Sequence, residues 1–318
     1  MKKLTALLVA VILSLFFAGC TGPSKNGQSE DSGTLSVVCT IFPCFDFARQ
    51  ISEDSAEVLM LLPPGVESHS FEPTAQDIIK IQNCDLFIYT GGENDTWIED
   101  ILASLDAPVN ALRMMDYVEI VEEEFTEGME ADESEQSHEN EQREFDYHVW
   151  TSPKNVILIA EGIKDALCEA APEYTDLFTE NCAAYTALLT ELDNDFTDFF
   201  SGVKNKTLIF GDRFPLRYFA DAYGLDYYAA FPGCSANTEP SAATIAFLIN
   251  KIKAENVGTV YYIEFSNHLA ADSIAEATGA NTALFHSCHN VSAQELASGA
   301  TYVSLMRNNL EMLKGAMS

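Results

Sequence analysis

Residues 172–200 have the sequence PEYTDLFTENCAAYTALLTELDNDFTDFF, a single helical pattern without a break. Pro172 suits the first turn of a helix because its ring holds φ near the helical value. Phe178, Tyr185, Leu189 and Phe196 recur at the spacing of one helix face. A helix of this length can bridge two lobes of ordinary size, so we predict a connecting helix over residues 172–200.

Strand and helix patterns alternate on both sides of this segment. Such alternation is typical of parallel α/β layers. We therefore predict an α/β protein whose two lobes, residues 35–171 and 201–318, each have a parallel sheet and face each other across a cleft. The predicted strands are residues 35–42, 57–62 and 85–89 before the helix, and residues 207–210, 227–231, 259–264 and 282–286 after it.

The first residues have the pattern of an export signal. Met1-Lys2-Lys3 is basic, and the apolar run over residues 4–18 is too short for an ordinary spanning helix. Phe17-Ala18-Gly19-Cys20 resembles a lipobox, whose cysteine receives lipid after cleavage, and the alternative is a plain secretory signal. We predict a signal peptide over residues 1–19, a lipidated tether over residues 20–34, and a protein anchored by lipid outside the cell membrane.

The chain is strongly acidic, with a formal net charge of -32. Such a field argues against nucleic acid or an anionic membrane surface as a partner and favours cations. Residues 119–146 are especially acidic, with Arg143 as their single basic residue. This segment is predicted to be a solvated, disordered loop. A weak cation-collecting role, aided by His138, and a merely solubilising role are both open.

Two histidines stand at the ends of predicted elements. His69 follows the strand over residues 57–62, and His148 precedes a helix that Ser152 and Pro153 are predicted to open. Imidazole nitrogen is the commonest protein ligand for divalent metal ions. The pair therefore indicates a cation site.

Further candidate ligands lie at strand ends in the second half of the chain. Asp212, Glu264 and His286 end or follow predicted strands, and in open parallel sheets ligands bind beyond the carboxyl ends of the strands. His289 is a rival to His286. Asp212 could instead cap a helix, and Glu264 could instead bond a neighbouring loop. We predict a metal site of His69, His148, His286 and His289, with Asp212 and Glu264 as second candidates.

The chain has eight cysteines, so an odd number remains once Cys20 is set aside for lipid. Export permits disulfides. Cys234 and Cys288 each follow a predicted strand of the second lobe, and we predict that they form a disulfide.

Three segments carry a resemblance to a known family. Residues 63–73 (PPGVESHSFEP), residues 146–150 (DYHVW) and residues 301–306 (TYVSLM), with Asn308 and Asn309, resemble the substrate-binding lipoproteins of zinc and manganese ABC importers. The resemblance covers nearly all of residues 35–317. It implies that two lobes hold a metal ion without chemistry, that the connecting helix limits their opening, and that the loaded protein docks on a membrane permease. We accordingly expect a monomeric binding protein, not an enzyme.

The second lobe departs from the family pattern. Where the family has its third histidine, this sequence has Arg213, beside Asp212. Arginine cannot be a metal ligand at ordinary pH. The family's late acidic ligand falls at His286, and a histidine there favours zinc over manganese.

Other functions are compatible with parts of the sequence. A zinc hydrolase would keep an open coordination position, and Glu72 lies three residues after His69, but the sequence has no H-E-x-x-H spacing. A lipid-anchored adhesin would need no bound ion. Manganese, iron or a chelated metal could replace zinc as the cargo. Metal retained by the purified protein separates these cases.

Overall fold

The computed structural model describes residues 34–67, 71–92, 95–105, 107–130, 144–235 and 239–317. Its first sheet is parallel throughout, with strand order β2-β1-β3-β4. The strands are β1 (Leu35–Cys39), β2 (Ala56–Met60), β3 (Leu86–Tyr89) and β4 (Ala111–Arg113). The helices of this lobe are α1 (Phe42–Ser52), α2 (Ala75–Asn83), α3 (Thr96–Ser104) and α4 (Pro153–Ala170).

Helix α2 begins with a capping box formed by Thr74 and Asp77. The Thr74 hydroxyl accepts a hydrogen bond from the Asp77 backbone N–H at 3.3 Å, and the Asp77 carboxylate accepts one from the Thr74 backbone N–H at 3.0 Å. Two N–H groups that have no partner within the helix are thereby satisfied. This cap starts the helix at Ala75.

Helix α5 (Thr175–Gly202) connects the lobes. A short 3₁₀ turn, Pro172–Tyr174, precedes it, so the α-helix starts later than the proline predicts. The buried side chains Phe178, Tyr185, Leu189 and Phe196 lie on one face, at the predicted spacing. This face packs against helices of both lobes, which makes α5 part of each core.

The second lobe has another parallel sheet, with strand order β6-β5-β7-β8. Its strands are β5 (Thr207–Phe214), β6 (Asp226–Pro232), β7 (Thr259–Tyr262) and β8 (Asn281–Leu284). Its helices are α6 (Arg217–Tyr223), α7 (Ala242–Glu255), α8 (Leu269–Thr278), α9 (Ala293–Ala297) and α10 (Tyr302–Ala316). The predicted fold class, two parallel-sheet α/β lobes linked by a long helix, is confirmed.

Helix α10 ties the end of the chain back to the first lobe. The Asp46 carboxylate in α1 accepts a hydrogen bond from the Tyr302 backbone N–H at 2.8 Å. Burial raises the pKa of Asp46 to about 6, because desolvation disfavours its charged form. The lobes are therefore joined by the packing of α10 as well as by α5.

The beginning of the acidic segment is ordered, contrary to the prediction of a solvated loop. Residues 119–130, here called the acidic strap, lie against the second lobe. The Glu124 carboxylate contacts Arg217 and accepts a hydrogen bond from the Tyr227 hydroxyl at 2.9 Å, and the Glu130 backbone N–H donates to the Ala230 carbonyl at 3.0 Å. The segment is ordered because its carboxylates have partners, which a composition argument does not reveal. Residues 131–143, with His138, lie outside the described residues.

The predicted signal peptide, tether and Cys20 also lie outside the described residues. Among the described helices, none combines the length and the apolar character needed to cross a bilayer.

Candidate metal centre

His148 is fully buried at the start of the 3₁₀ turn Val149–Thr151. Its Nδ1 lies 2.8 Å from Asp146 Oδ1, and the same oxygen accepts its backbone N–H at 2.8 Å. A carboxylate only accepts hydrogen bonds, so the proton of the neutral ring is on Nδ1 and Nε2 carries a lone pair. Within the described part of the chain, Nε2 has no hydrogen-bond partner. A buried nitrogen with a free lone pair, oriented by a carboxylate, is the arrangement of a metal-binding histidine.

Two neighbours set the position of the His148 ring. The Tyr147 ring stacks on it with centroids 4.1 Å apart. On another side, a Cβ added at Gly233 would lie 3.2 Å from His148 Cε1 and 2.9 Å from the Phe214 carbonyl oxygen. Gly233 therefore permits the second lobe to approach this ring closely.

His289 approaches from the second lobe, with its ring centroid 5.6 Å from that of His148. It lies on the segment after β8, where Cys288 has a left-handed φ of 62°. Glu264 fixes this segment, because its carboxylate accepts the Ser287 N–H at 2.7 Å, the Ser287 hydroxyl at 2.7 Å and the His289 N–H at 3.1 Å. Glu264, a candidate ligand from the sequence, thus bonds the neighbouring loop, which was its alternative role.

A cavity of about 20 Å³ lies between these groups. It is large enough for about one water molecule. The side chains that line it come from both lobes and include His148, Glu67, Arg213, Glu264 and His289. Imidazole and carboxylate in one small polar cavity are ligands suited to a single divalent ion.

Hydrogen bonds between the lobes close the crevice around this cavity. The Asn290 amide donates to the Pro63 and Val66 carbonyls at 2.8 Å and 2.9 Å. The Trp150 indole N–H donates to the Ser287 carbonyl at 2.9 Å. These bonds join the segment after β2, and the segment that contains His148, to the segment after β8.

Asp212 and His286 are not among the described residues that line the cavity. Asp212 accepts the Arg213 N–H at 2.8 Å and the Ile263 N–H at 3.2 Å, beside a register shift in β5. His286 Nδ1 accepts the Cys288 N–H at 3.0 Å, and its Nε2 lies 3.7 Å from Glu295 Oε1. Both side chains therefore organise the second lobe next to the crevice. His69 lies outside the described residues, two positions beyond Glu67.

Cys234 lies near His148, and its sulfur is within 4.8 Å of ligand atoms of Asp146 and His148. Its backbone N–H donates to the Glu123 carboxylate of the acidic strap at 2.8 Å. Burial, together with the charges of Asp146 and Glu123, raises the pKa of the Cys234 thiol.

The predicted disulfide between Cys234 and Cys288 is wrong, because both thiols are free. Cys288 is buried in the core, and its sulfur lies 3.8 Å from the His286 carbonyl oxygen, whereas Cys234 adjoins Asp146. The two sulfurs are thus held in different surroundings. Following a strand in the same lobe is not enough to bring two cysteines together.

Sequence reasoning missed three residues of this centre. Asp146 and Glu67 are inside the quoted segments around His148 and His69, so their proximity to a predicted ligand was a signal. Asn290, beside His289, had no comparable signal, since its partners are backbone carbonyls of residues 63 and 66 in the other lobe.

Two parallel α/β lobes that share one long helix and enclose a small polar cavity define a two-lobed binding protein. The chain belongs to the ZnuA family, described as zinc-uptake complex component A, periplasmic, and residues 37–316 match the model of that family.

Relatives cover nearly the whole chain. The high-affinity zinc uptake system protein ZnuA of Bacillus subtilis is 32% identical over 321 residues, which are 99% of this chain and 98% of that protein. The zinc-binding lipoprotein AdcA of Streptococcus pneumoniae is 31% identical over 317 residues, 99% of this chain. The chain spans only 61% of the length of AdcA.

Solved structures show the same fold. The Zn(II)-bound ZnuA-like domain of AdcA from Streptococcus pneumoniae has a TM-score of 0.74 and 29% identity, over 90% of this chain and 99% of that domain. The metal-dependent lipoprotein YcdH from Bacillus subtilis has a TM-score of 0.75 and 28% identity, over 89% of this chain and 100% of that one.

Proposed function

We propose that this chain is the binding component of a zinc uptake system, which captures Zn²⁺ between its lobes and delivers it to an ABC permease. The observation that carries the proposal is the Nε2 lone pair of His148, buried at the cavity and oriented by Asp146. Zinc is named in the descriptions of the ZnuA and AdcA relatives. Family membership supports a transport role and not an enzymatic one.

We propose His69, His148 and His289 as the zinc ligands. His148 and His289 line the cavity together, and His69 follows Glu67, which also lines it. His286 is left out because its Nδ1 lone pair accepts the Cys288 N–H, which places the ring proton on Nε2. Three nitrogen ligands leave room for an oxygen ligand in a tetrahedral zinc site.

Metal analysis of the purified protein tests this function. We expect one zinc ion per chain after dialysis against a zinc buffer, and a higher melting temperature with zinc than with chelator, since a ligand that binds only the folded state stabilises it. A protein that neither retains zinc nor gains thermal stability from it would be incompatible with the proposal.

The choice of cargo needs a separate measurement. Imidazole favours zinc over manganese, so we propose that zinc displaces manganese at equal concentration. Preferential retention of manganese in an equimolar mixture would reverse this assignment. Cells that lack the protein should grow poorly when zinc is chelated and recover with added zinc, as expected for a supplier of a zinc permease.

We also propose that the protein is monomeric and is anchored outside the membrane by lipid on Cys20. The AdcA relative is named a lipoprotein, which supports this location. Cys20→Ala should move the protein from the membrane fraction to the soluble fraction. Retention of this variant in the membrane fraction would contradict the lipid anchor.

A further inference from the structure

An ion pair joins the two lobes at the edge of the cavity. The Arg213 guanidinium donates from Nη1 and Nη2 to the two carboxylate oxygens of Glu67, at 3.2 Å each. Arg213 belongs to β5 of the second lobe and is only 3% exposed, while Glu67 belongs to the segment after β2 of the first lobe. Both side chains line the cavity with His148 and His289.

We propose that the Arg213–Glu67 ion pair is a latch that sets the affinity of the zinc site, in which Arg213 holds the Glu67 carboxylate away from the ion. This inference rests on the proposed function. The latch makes Arg213 an affinity-determining residue, although arginine itself cannot be a ligand.

The hydrogen bonds of Arg213 support a role beyond stability. Its Nε is buried and has no hydrogen-bond partner among the described residues; Asp212 Oδ1 is 4.0 Å away. A buried donor without a partner has a desolvation cost that a purely structural salt bridge would avoid. The Arg213 guanidinium is therefore buried beside the cavity at an energetic cost, because its hydrogen bonding is incomplete.

The position of Arg213 is fixed by its strand. The Asp212 carboxylate accepts both the Arg213 N–H and the Ile263 N–H, next to the register shift between Phe210 and Arg213. Such irregularities re-aim side chains near functional sites. The backbone of Arg213 is thus fixed beside the cavity by bonds that do not involve Glu67.

Substitutions of Arg213 and of Glu67 should change zinc affinity in opposite directions, because the two side chains have opposite charges. A guanidinium beside a divalent ion repels it, and Glu67 offsets that repulsion. Arg213→Met removes both the repulsion and the two hydrogen bonds by which Arg213 holds the Glu67 carboxylate, so zinc should bind at least about tenfold more tightly. Glu67→Gln leaves the positive charge of Arg213 uncompensated, so zinc should bind at least about tenfold more weakly.

The measurement is the zinc Kd of the full protein, by competition with a fluorescent zinc chelator. Arg217→Met and Glu124→Gln are matched controls, since they change the net charge identically and disrupt another arginine–carboxylate contact, between the second lobe and the acidic strap. We expect the control values to stay within about twofold of the parent. Circular dichroism checks folding, and Arg213→Gln replaces Arg213→Met if the latter does not fold.

The directions of the two changes in zinc affinity distinguish a latch from a structural brace. If the pair only braced the crevice, both substitutions would weaken zinc binding. Shifts in the same direction, or shifts no larger than those of the controls, would overturn the latch. A parent protein that binds no zinc would overturn the proposed function instead.

Discussion

Two buried histidines on opposite sides of the crevice differ in what their Nδ1 atoms contact. His148 is 0% exposed and His286 is 5% exposed, and the Nε2 of each lacks a hydrogen-bond partner within the described ranges. His148 Nδ1 faces the Asp146 carboxylate, whereas His286 Nδ1 accepts the backbone N–H of Cys288. The two rings are therefore similarly buried, but His148 carries its proton on Nδ1 and His286 carries its proton on Nε2.

The tautomer decides which ring can bind a cation. When an acceptor group faces Nδ1, the ring proton is on Nδ1 and the Nε2 lone pair is free. When a donor group faces Nδ1, the ring proton is on Nε2. His286 Nε2, which then bears the proton, lies 3.7 Å from Glu295 Oε1. A histidine at a strand end is thus a metal ligand only if the partner of its other nitrogen permits it.

The largest effect on zinc affinity is expected when His148 is replaced. His148→Ala should weaken zinc binding by more than about a hundredfold, which exceeds the loss expected when only a residue that orients a ligand is removed. His286→Ala should leave the zinc Kd within about threefold while lowering the melting temperature, because it removes a buried ring of the second lobe. Chelator competition gives both values. Equal losses in the two variants would refute the tautomer argument.

His289 tests whether the second lobe supplies a ligand at all. His289→Ala should weaken zinc binding by about a hundredfold, since its ring lies 5.6 Å from that of His148 at the same cavity. His268→Ala is the matched control, because His268 is exposed and bonded to Asp272 at 2.8 Å. If His289→Ala retains the parent Kd, the ligand from the second lobe must be sought elsewhere.

Asp146 provides a direct test of the His148 tautomer. Asp146→Asn can keep its amide oxygen on both His148 Nδ1 and the His148 backbone N–H, because one carboxylate oxygen serves both. It loses the negative charge that raises the basicity of the ring, so zinc binding should weaken by about 10–100-fold. Nitrogen NMR of the zinc-free protein should show the His148 proton on Nδ1 in the parent and in this variant. A parent His148 protonated on Nε2 would contradict the role of Asp146 in setting the tautomer.

Much of the fold was predictable because its signals are local. Apolar runs indicated seven of the strands, and helical spacing indicated the long helix. Strand β4 and helix α9, three and five residues long, are too short for a periodic pattern and were missed. The acidic strap was predicted to be disordered because its partners, such as Tyr227, are distant in sequence.

The centre was less predictable because its geometry depends on pairs far apart in the chain. Arg213 and Glu67 are separated by 146 residues, and no local pattern links them. Residue type and strand position drew attention to His148, His289 and Glu264, which line one cavity, but they could not show which nitrogen bears a proton or that Glu264 bonds a loop. The predicted ligand His69 stays a prediction.

The smallest expected effect concerns Glu264, which organises the His289 segment. Glu264→Gln keeps an acceptor oxygen but replaces the other with an amide donor, so one of the three bonds to Ser287 and His289 becomes unfavourable. Since His289 would then be held less precisely, zinc binding should weaken by about tenfold or less. Glu295→Gln is the control, because the Glu295 carboxylate accepts the Ser292 N–H and hydroxyl at the cap of α9 and lies beside His286, whereas Glu264 bonds Ser287 and His289. It should lower the melting temperature and leave the zinc Kd unchanged. A loss above about a hundredfold in Glu264→Gln would instead mark Glu264 as a ligand, and the second lobe would then contribute an oxygen directly to the ion.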